Sequence, residues 1–131
     1  MRKLKLFKLW LTLGWLLIAT VIFLSLLPSL QDTDIFSGSD KLAHISAYAA
    51  IMLWFGCIYY PGRIYLKLGL CFILMGTLLE IIQGITGYRS MEYLDMLANF
   101  TGVLAGWILS KTPISYILIY SERRLGIQSK I

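Results

Sequence analysis

The sequence predicts an all-α transmembrane bundle of four helices, with both termini cytoplasmic and a short inner interfacial C-terminal segment. Three observations predict it. First, 58% of the 131 residues are hydrophobic and the mean hydropathy is +0.73, more apolar surface than a soluble domain of this size can hide from water. Second, the chain divides into four apolar runs of about 20 residues, the length that crosses a hydrocarbon core of ~30 Å at ~1.5 Å per residue. Third, the charges alternate in side. Four Lys and Arg stand in the N-terminal tail, two in the second loop region and four near the C-terminus, against only Lys41 and Arg89 elsewhere. Basic residues mark the cytoplasmic face of spanning helices, so both ends and the second loop belong inside. Six of the seven acids (Asp32, Asp34, Asp40, Glu80, Glu92, Asp95) then fall on the outer half.

The first span covers about residues 9–28, behind a basic tail at 1–8. It carries no charge from Leu9 onward, and Pro28 stops it. A cleaved signal peptide also opens with basic residues, but this run exceeds the usual ~7–15-residue core, and no small-x-small cleavage site follows. An outer loop rich in Asp and Ser leads to the second span at about 41–60, with Asp40 placed to cap it. Tyr59, Tyr60, Pro61 and Gly62 make an inner turn with interfacial aromatics. The third span covers about 64–84, with Lys67 able to reach the inner surface. Gly84, Gly87 and Arg89 make an outer turn, and the fourth span covers about 91–110. Lys111 and Pro113 end it. The rest, 111–131, reads as a basic interfacial and cytoplasmic tail whose apolar stretch Pro113 to Tyr120 is too short to cross. Together 9–110 form one membrane domain. Cys57 and Cys71 lie in apolar runs and read as small buried hydrophobes. The cations flank lipid-spanning runs, so no nucleic-acid partner is implied.

Costly side chains recur in the outer halves of three spans. Lys41, His44 and Tyr48 share one stripe of the second helix. Glu80 and Gln83 are neighbours near the end of the third. Asp95, Asn99, Gly102 and Gly106 share a stripe of the fourth, whose Gly-x-x-x-Gly lower part lets another helix come close. With this topology, helical rise alone puts His44, Glu80 and Asp95 about one turn below the outer surface. Tyr48 and Asn99 fall deeper, and Lys41 and Arg89 sit at the rim.

Ionisable groups at such depths need a partner or a task, and three readings follow. The layer holds the helices together through hydrogen bonds and ion pairs. Or it binds the anionic or glycosylated headgroup of a membrane lipid or lipid-linked envelope precursor, through Lys41, His44, Tyr48, Glu80, Gln83, Arg89, Asp95 and Asn99. Or it acts as a hydrolase or transferase on that lipid, with His44, Glu80 and Asp95 as the catalytic candidates. His44, Glu80 and Asp95 match a metal site in residue type only. No H-x-x-x-H or H-x-x-E-H pattern exists, so neither metal nor cofactor is expected.

The order of these residues resembles the VanZ-like family of small bacterial membrane proteins. The resemblance runs through Ser25-Leu26-Leu27-Pro28, then Asp40-Lys41-x-x-His44-x-x-x-Tyr48. It continues through Glu80-x-x-Gln83 and Arg89-x5-Asp95-x3-Asn99-x2-Gly102-x3-Gly106. It covers roughly residues 10 to 110. Many members carry Pro-Gly ahead of the Arg, where this chain has Gly87-Tyr88. The resemblance implies a multi-pass protein of the bacterial cytoplasmic membrane, in a cell-envelope family named for glycopeptide (teicoplanin) resistance. It implies Asp40, Lys41, His44, Tyr48, Glu80, Gln83, Arg89, Asp95 and Asn99 as the family's polar positions, and it supplies no reaction.

Overall fold

The computed structural model describes residues 4–27, 39–87 and 91–127. All regular structure among the described residues is helical, in the order α1 (Phe7–Leu26), α2 (Ser39–Tyr59), α3 (Arg63–Thr86), α4 (Tyr93–Leu109), a 3₁₀ turn (Pro113–Tyr116) and α5 (Ile117–Arg124). Three helices, α1 to α3, are long and apolar enough to cross a membrane. A fourth crossing is reached if α4 and the segment Pro113–Arg124, bent by 75° against each other, count as one span. Arg89 and most of the outer loop, including Pro28, lie outside the described residues.

Polar residues and most helix glycines face in beside a core of large apolar residues, and many further large apolar residues face outward. On α3 the buried face is Tyr65, Gly69, Phe72, Gly76, Leu79, Glu80 and Gln83, steps of three and four that keep one side of a helix. The opposite side exposes Leu66, Leu70, Leu74, Leu78 and Ile85. Cys71 sits on this outer side, whereas Cys57 is buried. The expectation that both cysteines are buried is therefore corrected for Cys71. A helix apolar all round carries no hydrophobic signal for which side packs, so its place in the run could not decide. An exposed apolar belt of this extent suits lipid as the surrounding solvent.

α2 is the central helix and packs against α1, α3, α4 and α5, most extensively against α4. Glycines make that pairing close. A Cβ on Gly106 would stand 2.5 Å from the Ala49 carbonyl oxygen and 2.8 Å from the Met52 Cβ. The helix admitted by the glycine stripe of α4 is thus α2 of the same chain. α1 packs on the other flank, where Gly14 leaves room for the Trp54 and Phe55 rings. Trp54 Nε1 donates to the Trp10 carbonyl at 3.0 Å. α3 ends at Gly87, whose φ of 71° gives the left-handed cap that favours glycine. Asp40 is the second residue of α2, two residues further in than a cap, which corrects its reading as the cap.

The C-terminal region differs from a solvated tail. α5 buries Leu118, Ile119 and Glu122. The Glu122 carboxylate accepts from the Lys5 and Leu6 backbone N–H groups at 3.0 and 2.8 Å, and from Trp10 Nε1 at 2.8 Å. The physical reason lies at the start of α1. A helix N-terminus has backbone donors without intrahelical acceptors and a partial positive charge, and a carboxylate answers both. α5 thereby docks on the bundle at the end where α1 begins.

Candidate functional site

The polar residues gather at the opposite end, where α2 begins, α3 ends and α4 begins. Three backbone features bring them together. The i, i+3, i+7 stripe on α2 turns Lys41, His44 and Tyr48 toward α4. Gly76 lets α3 approach, since a Cβ there would stand 3.0 Å from Asn99 and 3.1 Å from Tyr48 Cζ. Gly102 lets α4 lie against the α2 backbone at Ile45. Asp95, Glu80, Gln83, Asn99, Tyr48 and His44 are all buried, the first five at 3% exposure or less.

At the rim, Lys41 Nζ donates to Glu92 Oε2 at 3.0 Å and faces Asp95 Oδ1 at 3.6 Å. Glu92 was not a site candidate from sequence. It stands just before α4, where the spacing rule for one helix face does not reach. One turn deeper, His44 is hydrogen-bonded between Nδ1 and Asn99 Oδ1 at 2.9 Å. Glu80 Oε1 lies on the same side of the ring, 3.9 Å from Nδ1. Both neighbours of Nδ1 are oxygen acceptors, so a proton on Nδ1 is donated to Asn99. Nε2 faces Asp40 Oδ2 at 3.9 Å. Gln83 reaches away from this group and donates from Nε2 to the Ser25 carbonyl oxygen, tying α3 to the end of α1.

Seven of the eight expected site residues therefore meet in or beside one cluster: His44, Tyr48, Glu80, Asp95 and Asn99 at its centre, Lys41 at its rim and Gln83 at its α1 edge. The eighth, Arg89, is outside the described residues. Two buried atoms in the cluster make no hydrogen bond, the Tyr48 hydroxyl and Asp95 Oδ1. A cavity of about 230 Å³ opens between α1 and α2, lined by Val21, Leu24 and Ser25 of α1 and by Asp40, Ala43, His44, Ala47 and Tyr48 of α2. A second hollow of about 280 Å³, between α3 and α4, is lined by Met52, Leu70, Phe100 and Trp107 among other apolar groups and has no polar side chain for chemistry.

Fold and site together define a class: a helical membrane bundle whose one end carries a buried network of carboxylates, imidazole and amides beside a mostly apolar cavity. No family model matches the chain, and neither a curated protein nor a solved structure is similar enough to count as a match.

Proposed function

We propose that the chain is a multi-pass, VanZ-like protein of the bacterial cytoplasmic membrane, its four spans oriented with both termini cytoplasmic, and that its polar end binds a lipid headgroup in the outer leaflet. The observation that carries this reading is the cavity between α1 and α2. Its apolar side, Val21 and Leu24, suits an acyl chain, and its polar side, Asp40, His44 and Tyr48, suits the headgroup above that chain.

The choice of headgroup follows from charge. An anionic group needs a cation to meet it, and Lys41 already faces Glu92 and Asp95. The carboxylate of Asp40 and, with the proton on Nδ1, Nε2 of His44 offer acceptors instead. Hydroxyl-rich groups donate to acceptors of this kind, so a glycosylated headgroup fits better than a bare phosphate. A cell-envelope glycolipid or lipid-linked precursor is the corresponding ligand class. Any effect on glycopeptide sensitivity would follow from holding such a molecule.

Native mass spectrometry of the purified chain, released from mild detergent, tests the reading. The wild-type chain should carry a co-purifying glycolipid. Ala47→Trp, which fills the cavity without touching the ion pairs, should lose it while the far-ultraviolet circular dichroism stays unchanged. Retention of the same lipid by a folded Ala47→Trp chain would overturn the proposal.

A further inference from the structure

The three side chains Asp40, His44 and Asp95 each bring one ligand atom to a common point, all within 4.8 Å of one another. We propose that they form a binding site for a divalent cation of the zinc or manganese class. Three features of the site support this, and none depends on which lipid fills the cavity.

The first is the placing of the imidazole. Nδ1 faces the side-chain oxygens of Asn99 and Glu80 at 2.9 and 3.9 Å, and Nε2 faces Asp40. A ligating histidine needs this arrangement: one nitrogen free for the metal, the other donating to an oxygen that holds the ring in place. The second is the distance between Nε2 and Asp40 Oδ2. At 3.9 Å they are too far apart for a hydrogen bond. Ligands on one tetrahedral zinc stand about 3.4 Å apart, given metal–ligand bonds of about 2.0–2.2 Å. A cation between them bonds both atoms after a shift of about half an ångström.

The third is Asp95. Its Oδ1 is buried without a hydrogen-bond donor, an acceptor turned into the cluster. Lys41 faces that oxygen at 3.6 Å but lies closer to Glu92, at 3.0 Å. Lys41 can therefore stay on Glu92 when Asp95 turns to the metal. One nitrogen and two carboxylate oxygens are a donor set that first-row divalent ions accept. Three protein ligands leave a coordination position for water or a ligand oxygen, and the cavity opens beside His44 and Asp40.

Zinc chloride is the probe. The full-length chain is purified in detergent, in a Cys71→Ser background so that the exposed thiol contributes nothing. It is stripped with a chelator, desalted and titrated by calorimetry, and its metal is counted by mass spectrometry. One zinc per chain is expected. Asp40→Asn should weaken binding by at least about tenfold, since even outer-shell changes cost that much. Asp40 is half exposed, so this variant folds, and circular dichroism verifies it. Asp95→Asn should weaken binding likewise. Absence of stoichiometric zinc, or zinc binding equal in wild type, Asp40→Asn and Asp95→Asn, would overturn the site. The titrations are repeated in the Ala47→Trp background, whose filled cavity excludes lipid, so they fail or succeed separately from the headgroup reading.

Discussion

Gly102 of α4 lies so close to Ile45 of α2 that a Cβ on the glycine would stand 2.5 Å from the Ile45 carbonyl oxygen. That oxygen belongs to helix backbone and cannot move aside as a flexible side chain can. The contact also sets the register of the polar end, because Ile45 is next to His44 and Gly102 is one turn below Asn99. Gly102→Ala should therefore destabilise the fold by about 1–3 kcal/mol, the range for forcing an extra methyl into a packed interface. Reversible unfolding in mixed micelles measures this. A Gly102→Ala chain as stable as wild type would mean that α2 and α4 are not packed this closely.

Single hydrogen bonds within the membrane should matter less. Gln83 ties α3 to the Ser25 carbonyl at the end of α1. Gln83→Met keeps the length and loses the bond, for which about 0.6 kcal/mol is typical in membrane helices. The same unfolding assay should rank Gln83→Met well below Gly102→Ala. Packing geometry, more than hydrogen bonding, then holds the bundle together. The reverse ranking would make the polar layer the dominant adhesive.

Glu122 is the exception among polar contacts, because it serves three donors at once. Glu122→Ala leaves two backbone N–H groups and the Trp10 indole without an acceptor. Each buried donor left unmet costs about 1–3 kcal/mol, less where water reaches it. The loss should exceed that of Gln83→Met. Trp10 and Trp54, whose rings meet edge to face at 6.1 Å, should report it as a shift in tryptophan emission. An unchanged emission spectrum and unfolding midpoint would show that α5 is not docked.

Lys41 stands between Glu92 and Asp95. Lys41→Met should lower the yield of folded protein, because it leaves the Asp95 carboxylate buried without its cation. Adding Asp95→Asn to Lys41→Met should restore the yield, since the charge that needed balancing is gone. Failure of the second substitution to rescue the first would place the role of Lys41 elsewhere, as a direct ligand contact.

The meeting of His44, Glu80, Asp95 and Asn99 was legible from sequence because helical rise and span order fix depth, and polar residues in apolar runs mark the inward side. Burial of other positions was not legible. Leu70, Cys71 and Phe72 are consecutive on α3, yet Phe72 is buried while Leu70 and Cys71 face out, and apolar composition is the same on both sides. Glycines at 69 and 76, three and four residues from Phe72, were the available clue to the packed face. Glu122 was missed because its partners lie more than 100 residues away and its neighbours Arg123 and Arg124 read as solvated charge. Its position three and four residues after Ile119 and Leu118 was the signal that it belonged to their face. Asp40 was read as a cap and as a family position. Its i, i+4 spacing to His44 was the available signal that it stands beside the imidazole, where the structure puts it 3.9 Å from Nε2.

The Glu122 contact also bears on orientation. It holds the segment leading into α1 against α5, so Lys5 and Lys8 gather at the same end of the bundle as Arg123 and Arg124. The polar cluster lies at the other end, where Gln83 meets Ser25. Basic residues stay on the cytoplasmic side. Single-cysteine chains, made after replacing Cys57 and Cys71 with Ser, should then label asymmetrically with an impermeant thiol reagent. Ser37→Cys should react in intact cells, and Ser129→Cys only after permeabilisation. Equal labelling of both before permeabilisation would rule out the four-span arrangement with both ends inside. Labelling of Ser129→Cys alone would invert it and put the imidazole–carboxylate cluster on the cytoplasmic face, where a headgroup ligand would have to come from the inner leaflet.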